Sequence, residues 1–200
     1  PTHHLASQRV MEKCGMALYK TDIAHGVECK FYKIKNTPIK ERSCNTMTRN
    51  MIIREPAMAD KAAFIQAMQR SQALHSPWVV SPQTEEKFDE YIQRSQKANQ
   101  KYFLACNAVG NIVGVFNISE IVLGAFQSAY LGFYSVANYA GQGYMSHGLK
   151  LVLRSIFEEI KLHRIEANIQ PENVRSINLV KANGFSKEGF SPRYLNISGV

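Results

Sequence analysis

The spacing of apolar and polar residues along the chain predicts four helices. The strongest pattern covers residues 143–160, where seven apolar side chains form one stripe opposite a charged face. Two more amphipathic patterns cover residues 58–74 and 84–98. A shorter helix is predicted for residues 176–183, because an Asn-Gly pair at its end is a common stop signal.

Extended segments lie between these helices. A hairpin is predicted where two apolar runs flank the turn Val109-Gly110-Asn111. The predicted strands of the body of the chain cover residues 51–54, 102–107, 112–120, 129–136 and 164–169. Because strands and helices alternate, the pattern predicts an α+β (mixed α/β) fold.

A polar stretch that contains a proline and shows no periodicity, residues 37–47, is predicted to be a linker. It separates a short N-terminal piece, residues 1–36, from a longer body, residues 48–200. The body is long enough to form one domain with a full core.

The composition is that of a soluble globular chain, with 45% hydrophobic and 20% charged residues among 200. It argues against disorder, and no apolar run is long enough for a membrane span. The first residues lack the pattern of a secretory signal, so a cytoplasmic location is expected. The four cysteines form no C-x-x-C pair, so no metal site is expected.

The net charge of +8 favours an anionic ligand or partner, such as nucleic acid, a ribosomal surface or a phosphorylated cofactor. The basic residues are spread along the chain rather than gathered in a dense stripe. Direct binding of nucleic acid is therefore not expected.

Two glycines one residue apart, Gly141 and Gly143, lie between a predicted strand and the strongest helix. Glycines there let backbone N–H groups approach an anion, and the start of the helix adds further donors. A pyrophosphate suits such a turn. The pattern matches neither a nucleoside-triphosphate P-loop nor a dinucleotide-binding fingerprint.

A second motif follows about thirty residues later, where Asn173-Val174-Arg175-Ser176 leads into the short helix that ends in Asn183-Gly184-Phe185. Together with the glycine turn, its order and spacing resemble the GNAT acetyltransferase superfamily. Over residues 48–199 the chain looks like the bacterial ribosomal-protein-alanine N-acetyltransferases. The resemblance implies a central, mostly antiparallel sheet that splays at an acetyl-CoA cleft, with helices on both faces.

The resemblance also assigns residues to the acetyl-CoA site. The backbone of residues 135–137 would pair with the pantetheine arm, and N–H groups from Tyr139 to Met145 would hold the pyrophosphate. Asn138 departs from the family pattern, which has Gln or Arg at this position. The implied cofactor-binding residues are Ser135, Val136, Ala137, Tyr139, Ala140, Gly141, Gln142, Gly143, Tyr144, Met145 and Asn173.

Catalytic roles follow from the same resemblance. Ser176 is at the position of the general acid, although a serine there also suits the first turn of a helix, which Asn173 would cap. Glu120 is the candidate general base, acting through water, or else a solvated charge of the hairpin. Trp78, after Ser-Pro, would line the acceptor slot or pack in the core. A strand N–H near residues 133–135 would stabilise the oxyanion.

The N-terminal piece repeats part of this pattern. Residues 7–16 align with residues 176–185 at a constant offset of 169, and residues 4–35 resemble the closing segment of another such domain. The body stops where the family continues with a further strand. Either the N-terminal piece is a loosely attached remnant, or residues 28–34 insert as the final strand. The insertion would occur in the same molecule or, by strand exchange in a homodimer, in a second copy.

The expected function is transfer of an acetyl group from acetyl-CoA, a cosubstrate, to a primary amine by direct attack in a ternary complex. The expected acceptor is the N-terminal α-amine of a protein such as a ribosomal protein. One alternative is acetylation of a small amine such as a polyamine or an aminoglycoside. The other is a CoA-binding or ribosome-binding protein without catalysis.

Overall fold

The strands of the protein form one seven-stranded sheet in the computed structural model, which describes residues 27–35 and 50–195. The strands are β1 (Val27–Lys35), β2 (Met51–Arg54), β3 (Lys101–Asn107), β4 (Ile112–Val122), β5 (Ser128–Ser135), β6 (Arg164–Ile169) and β7 (Ser186–Leu195). Their order in the sheet is β2-β3-β4-β5-β6-β1-β7. Only β5 and β6 run parallel, and all other neighbours are antiparallel. The predicted α+β class is confirmed.

Helices cover both faces of this sheet. They are α1 (Lys61–Arg70), α2 (Gln72–His75), α3 (Glu85–Ser95), α4 (Tyr144–Ser155) and α5 (Val174–Ala182). Short 3-10 turns precede α1 and follow β5, and a π-helical turn, Ile156–Ile160, continues α4. Within the two described segments, no helix combines the length and apolar character needed to cross a membrane.

Two predicted helices differ from the observed ones in a local detail. The pattern over residues 58–74 is divided at Ser71, whose Oγ donates to the carbonyl of Ala67 at 2.7 Å and whose N–H bonds to Met68. The pattern over residues 143–160 changes from α to π geometry at Ile156. Both changes keep the apolar stripe on the sheet.

The core has two layers, one on each face of the sheet. Along β5, Leu131 packs under α4 and α5, whereas Tyr134 packs under α1 and α3. This alternation follows from the two-residue period of a strand. Thr84 caps α3 by accepting the N–H of Lys87 at 3.3 Å. The helix therefore begins where the amphipathic pattern over residues 84–98 begins.

The N-terminal strand β1 lies between β6 and β7 and is antiparallel to both. Lys33 forms an ion pair with Glu188 of β7, and Glu188 in turn contacts Arg164 of β6 at 2.6 Å. Ile34 is buried in the core beside Gly184. The predicted linker, the repeat at residues 7–16 and residues 196–200 lie outside the described residues.

A V-shaped gap opens between β5 and β6. The two strands pair at three positions, of which the last joins Tyr130 to Glu166. Beyond that point β5 continues to Ser135 and β6 to Ile169 without pairing to each other. The predicted splay of the sheet is therefore present at the only parallel step among the described strands.

Candidate active site

A cleft of about 980 Å³ opens at this gap. Its volume lies at the upper end of the range of about 300–1,000 Å³ that is usual for small-molecule sites. Four parts of the chain line it: the end of β5, the glycine turn before α4, the start of α5, and α2 with the loop that follows it. The cleft therefore brings together the two motifs and the Trp-containing loop singled out in the sequence.

The glycine turn forms one wall of the cleft. Gly141 and Gly143 have φ of +73° and +83°, and a Cβ at either position would meet no atom of the described residues within 4 Å. Gly143 is the N-cap of α4, and no side chain in the described segments caps this helix. The first N–H to bond a carbonyl at its start is that of His147, so the N–H groups of Met145 and Ser146 have no carbonyl partner within the helix. Open space beside such donors fits a diphosphate.

The end of β5 presents further backbone donors. The N–H of Val136 bonds to the carbonyl of Val113 in β4 at 3.1 Å. Because the hydrogen-bonding direction alternates along an antiparallel strand, the N–H groups of Ser135 and Phe133 point the opposite way, into the gap. They are the two candidate donors for an oxyanion.

His75, which the sequence analysis did not single out, joins two walls of the cleft. Its Nε2 lies 2.8 Å from the carbonyl oxygen of Ser135, and its Nδ1 lies 3.0 Å from Oγ of Ser81. A carbonyl can only accept, so Nε2 carries the proton, and Nδ1 accepts from the Ser81 hydroxyl in the neutral ring. Burial lowers the pKa of His75, although the hydrogen bond to Ser135 raises it.

Ser71 makes a second side-chain hydrogen bond to the backbone at the end of β5. Its Oγ accepts the N–H of Ala137 at 2.9 Å, and the side chain is fully buried. The carbonyl of Ser135 and the N–H of Ala137 are thus engaged by side chains of the protein. Of the polar backbone groups predicted to pair with the pantetheine arm, the N–H of Ser135 is the one that points into the gap and is not bonded to another described residue.

Ser176 is the third residue of α5, and Asn173 is the N-cap. The side chain of Asn173 accepts the N–H of Ser176 at 3.2 Å, which confirms the predicted cap. Both residues line the cleft. Among the described residues the hydroxyl of Ser176 has no hydrogen-bond partner, so it is available to a ligand.

Trp78 lines the cleft from the loop that follows α2. The backbone N–H groups of Trp78 and Val79 both donate to the backbone carbonyl of His75, at 2.7 and 3.0 Å. The indole is only partly buried, so Trp78 forms part of the wall rather than the centre of the core.

Glu120 does not join this group. It is exposed, has φ of +50°, and lies at an irregularity of β4 where its carboxylate accepts from Asn99 and Gln100. Phe116 is the β4 residue opposite Phe133 of the cleft. Glu120 is four residues further along, a distance of roughly 13 Å at 3.3 Å per residue.

The other predicted cofactor residues divide into two groups. Those that line the cleft are Ser135, Tyr139, Ala140, Gly141, Gly143, Met145 and Asn173. Those that the structure places beside the cleft but not in its lining are Val136, Ala137, Gln142 and Tyr144. Gln142 donates its side-chain amide to the carbonyl of Asn138 at 2.8 Å, which stabilises the glycine turn from outside.

The lining of the cleft has little charge. Among the described residues that line it, Glu172 is the one acidic residue and, apart from His75, Arg175 is the one basic residue. Tyr134 also lines the cleft, and burial raises its pKa well above the ordinary value, so it stays protonated. Within the described ranges, no group of three His, Cys, Asp or Glu side chains could hold a metal ion.

Comparison with known proteins places the chain in a family. The profile of the acetyltransferase (GNAT) domain matches residues 50–186. A probable N-acetyltransferase of Bacillus subtilis, YjcK, is 33% identical over 115 residues, which cover 57% of this chain and 64% of that protein. The ribosomal protein uS5-alanine N-acetyltransferase of Escherichia coli is 40% identical over 88 residues, 44% of this chain and 45% of that enzyme. The chain therefore spans less than two thirds of these relatives.

A solved structure agrees with this assignment. The RimJ protein of Mycobacterium smegmatis, in complex with CoA-disulfide, superposes with a TM-score of 0.69 at 25% identity and covers 75% of this chain and 77% of its own. These matches confirm the predicted fold, and with it N-acetyl transfer from acetyl-CoA as the chemistry of the family. The chain belongs to the GNAT acetyltransferase family.

Proposed function

We propose that this protein transfers an acetyl group from acetyl-CoA to the N-terminal α-amine of a protein, such as a ribosomal protein, by direct attack in a ternary complex. The observation that carries the proposal is the cleft itself. Its lining combines the glycine turn with Trp78 and Val79 of the loop after α2. A donor and an acceptor would thus meet between β5 and α5.

The glycine turn suits the donor. Gly141, Gly143 and the first N–H groups of α4 would hold the diphosphate, and the Ser135 N–H would bond to the pantetheine arm. Acetyl-CoA supplies an activated acyl group as a thioester. With the Ser135 N–H on the pantetheine arm, the N–H of Phe133 is the donor proposed to stabilise the negative charge that develops on the thioester carbonyl oxygen.

The rest of the lining suits a peptide more than a polycation. A polyamine needs several carboxylates, whereas the described part of the lining has one, Glu172, whose charge is offset by that of Arg175. Trp78 and Val79 offer an apolar wall along which a peptide backbone can lie. The likeness to the uS5-alanine enzyme of Escherichia coli supports the same class of acceptor. A ribosomal acceptor also implies a cytoplasmic site of action.

Ser176 is the proposed proton donor to the leaving thiolate. It lines the cleft, its hydroxyl has no partner among the described residues, and Asn173 fixes the backbone that carries it. The acceptor must enter as a neutral amine or lose a proton to water. Glu120, which the sequence left open as either a general base or a solvated charge, is not among the described lining residues, and the proposed mechanism does not use it.

Turnover with a panel of acceptors tests the proposal. Thiol release from acetyl-CoA would be measured with peptides that begin with Ala or Ser, with the same peptides already N-acetylated, and with spermidine. The proposal expects release with free N-termini only. Release with spermidine alone would favour the small-amine alternative, and tight CoA binding without release would favour a binding protein.

A further inference from the structure

We infer that the N-terminal strand β1 holds one wall of the acetyl-CoA cleft in place. Residues 27–35 would therefore be a positioning element for acetyl-CoA binding. The same chain or a second copy of it would supply this strand. The inference rests on the use of acetyl-CoA and not on the identity of the acceptor.

The first step concerns β6. Its N-terminal half pairs with β5 up to Glu166, but its second half, Ala167 to Ile169, diverges from β5 to open the gap. A strand that borders a gap can form a ladder on one side only. The position of this half of β6 is therefore set from its other side.

β1 occupies that other side. Lys30 lies opposite Ile169, Phe31 opposite Asn168 and Tyr32 opposite Ala167. These three pairs cover the splayed half of β6. Among the described strands, β1 is the one that pairs with it there.

The splayed half leads directly into the active-site residues. Asn173 and Ser176 follow the end of β6 at Ile169 by four and seven residues, and both line the cleft. A shift of β6 would carry the start of α5 with it. Small displacements of this kind are costly where reacting groups must be aligned.

β1 is itself anchored on the side away from the cleft. It pairs with β7 at six positions, and Lys33 forms an ion pair with Glu188 of that strand. Glu188 also contacts Arg164, whose guanidinium bonds to Glu166 at 2.6 Å. Ile34 is 8% exposed and belongs to the main core. Without β1, facing backbone groups of β6 and β7 would lose their partners, which is unfavourable in a buried sheet.

Two proline variants separate the positioning role from general stability. Proline removes a backbone donor and is not tolerated inside a central strand. Phe31→Pro disrupts β1 opposite the splayed half of β6. Lys35→Pro, the matched control, disrupts it opposite Arg164, where β6 is also held by β5. Phe31→Ala keeps the N–H and controls for loss of the side chain.

Acetyl-CoA affinity, measured by calorimetry, needs no acceptor and so does not depend on the proposed function. We expect Phe31→Pro to raise the Kd at least about tenfold. We expect Lys35→Pro and Phe31→Ala to raise it less than about threefold. Equal Kd values for Phe31→Pro and Lys35→Pro, with both proteins folded, would overturn the inference.

Hydrogen exchange on the unmodified chain provides a second measurement if Phe31→Pro does not fold. Amides of residues 27–32 should exchange as slowly as those of residues 167–169, and acetyl-CoA should slow both groups. If residues 27–32 exchange at the rate of an unfolded chain while acetyl-CoA still binds, β1 does not hold the wall of the cleft in place.

Discussion

The Nε2 atom of His75 lies 2.8 Å from the carbonyl oxygen of Ser135, sixty residues later in the chain. Nδ1 of the same ring accepts from the Ser81 hydroxyl, and the backbone carbonyl of His75 accepts the N–H groups of Trp78 and Val79. One buried imidazole therefore connects the end of β5, which presents the Ser135 N–H to the cleft, with the loop that carries Trp78. The walls on the donor and acceptor sides share this support.

The burial of His75 predicts a pH-dependent stability. Burial lowers the pKa of the ring in the folded state, whereas in the unfolded chain it is near the ordinary value of about 6.5. The unfolded state therefore binds a proton more readily than the folded state. The stability contributed by the neutral ring is complete above the pKa of the unfolded state, and it is lost as the pH falls through the pKa of the folded state. We expect the melting temperature to fall between about pH 7.5 and about pH 5.5.

His75→Gln isolates this contribution. Its amide can still donate to the Ser135 carbonyl but does not titrate. The variant should be less stable at neutral pH, since it loses the bond to Ser81, yet its melting temperature should fall less on acidification. Parallel curves for the two proteins would show that another group is responsible.

Gly143 should be sensitive to substitution for a reason specific to the cleft. Gly143→Ala places a methyl group beside the donors at the start of α4 at φ of +83°, a conformation that costs an L residue about 1–2 kcal/mol. Gly124→Ala is a matched control, because Gly124 has φ of +73° and equally open space but belongs to the β4–β5 hairpin. Both variants should lose similar stability in denaturant titrations. Only Gly143→Ala should raise the Kd for acetyl-CoA, by about tenfold or more.

Ser176→Ala tests the proposed proton donor. General acid catalysis contributes roughly 10²–10⁴-fold, so kcat should fall at least about a hundredfold, while the Kd for acetyl-CoA stays within about twofold. The N-cap of α5 is Asn173, whose side chain accepts the backbone N–H of residue 176, so the helix start should be retained. An unchanged kcat would remove Ser176 from the mechanism.

Glu120→Gln is expected to have the opposite outcome. The carboxylate is exposed and accepts two long hydrogen bonds of 3.4 Å from neighbouring amides. Because an exposed charge at this distance from the cleft acts weakly, kcat should stay within about threefold of the parent value. A fall of a hundredfold, with a shift of the acidic limb of the pH–rate profile, would restore Glu120 as the base.

Much of the site could be predicted because its signals are local. The glycine turn and the Asn-capped helix each lie within about ten residues, and the apolar stripe of α4 fixes which face meets the sheet. The structure brings these motifs to one cleft, as the resemblance to the family implied. Strand β1 was expected from the resemblance of residues 4–35 to the closing segment of another such domain.

The hydrogen bonds from His75 and Ser71 to the end of β5 could not be predicted in this way. Ser71 lies in a predicted helix and His75 just after it, and neither looks unusual there. Their partners, Ala137 and Ser135, are 66 and 60 residues away. The position of Glu120 depends on an irregularity of β4 between Ser119 and Val122, which no residue pattern marks. Contacts of this kind come from tertiary packing, so single-sequence periodicity does not contain them.

A cysteine pair tests which molecule supplies β1. Lys33 and Glu166 lie directly opposite each other in the β1–β6 ladder, and opposite residues of neighbouring strands lie about 4.5–5.5 Å apart between Cα atoms, within the range that a disulfide spans. In the double variant Lys33→Cys and Glu166→Cys, mild oxidation should give a monomer that migrates faster on a non-reducing gel. Each single variant is the control and should give no such species. A covalent dimer in the double variant, absent from both single variants, would mean that β1 is exchanged between two copies, because only then would residue 33 of one chain lie opposite residue 166 of the other.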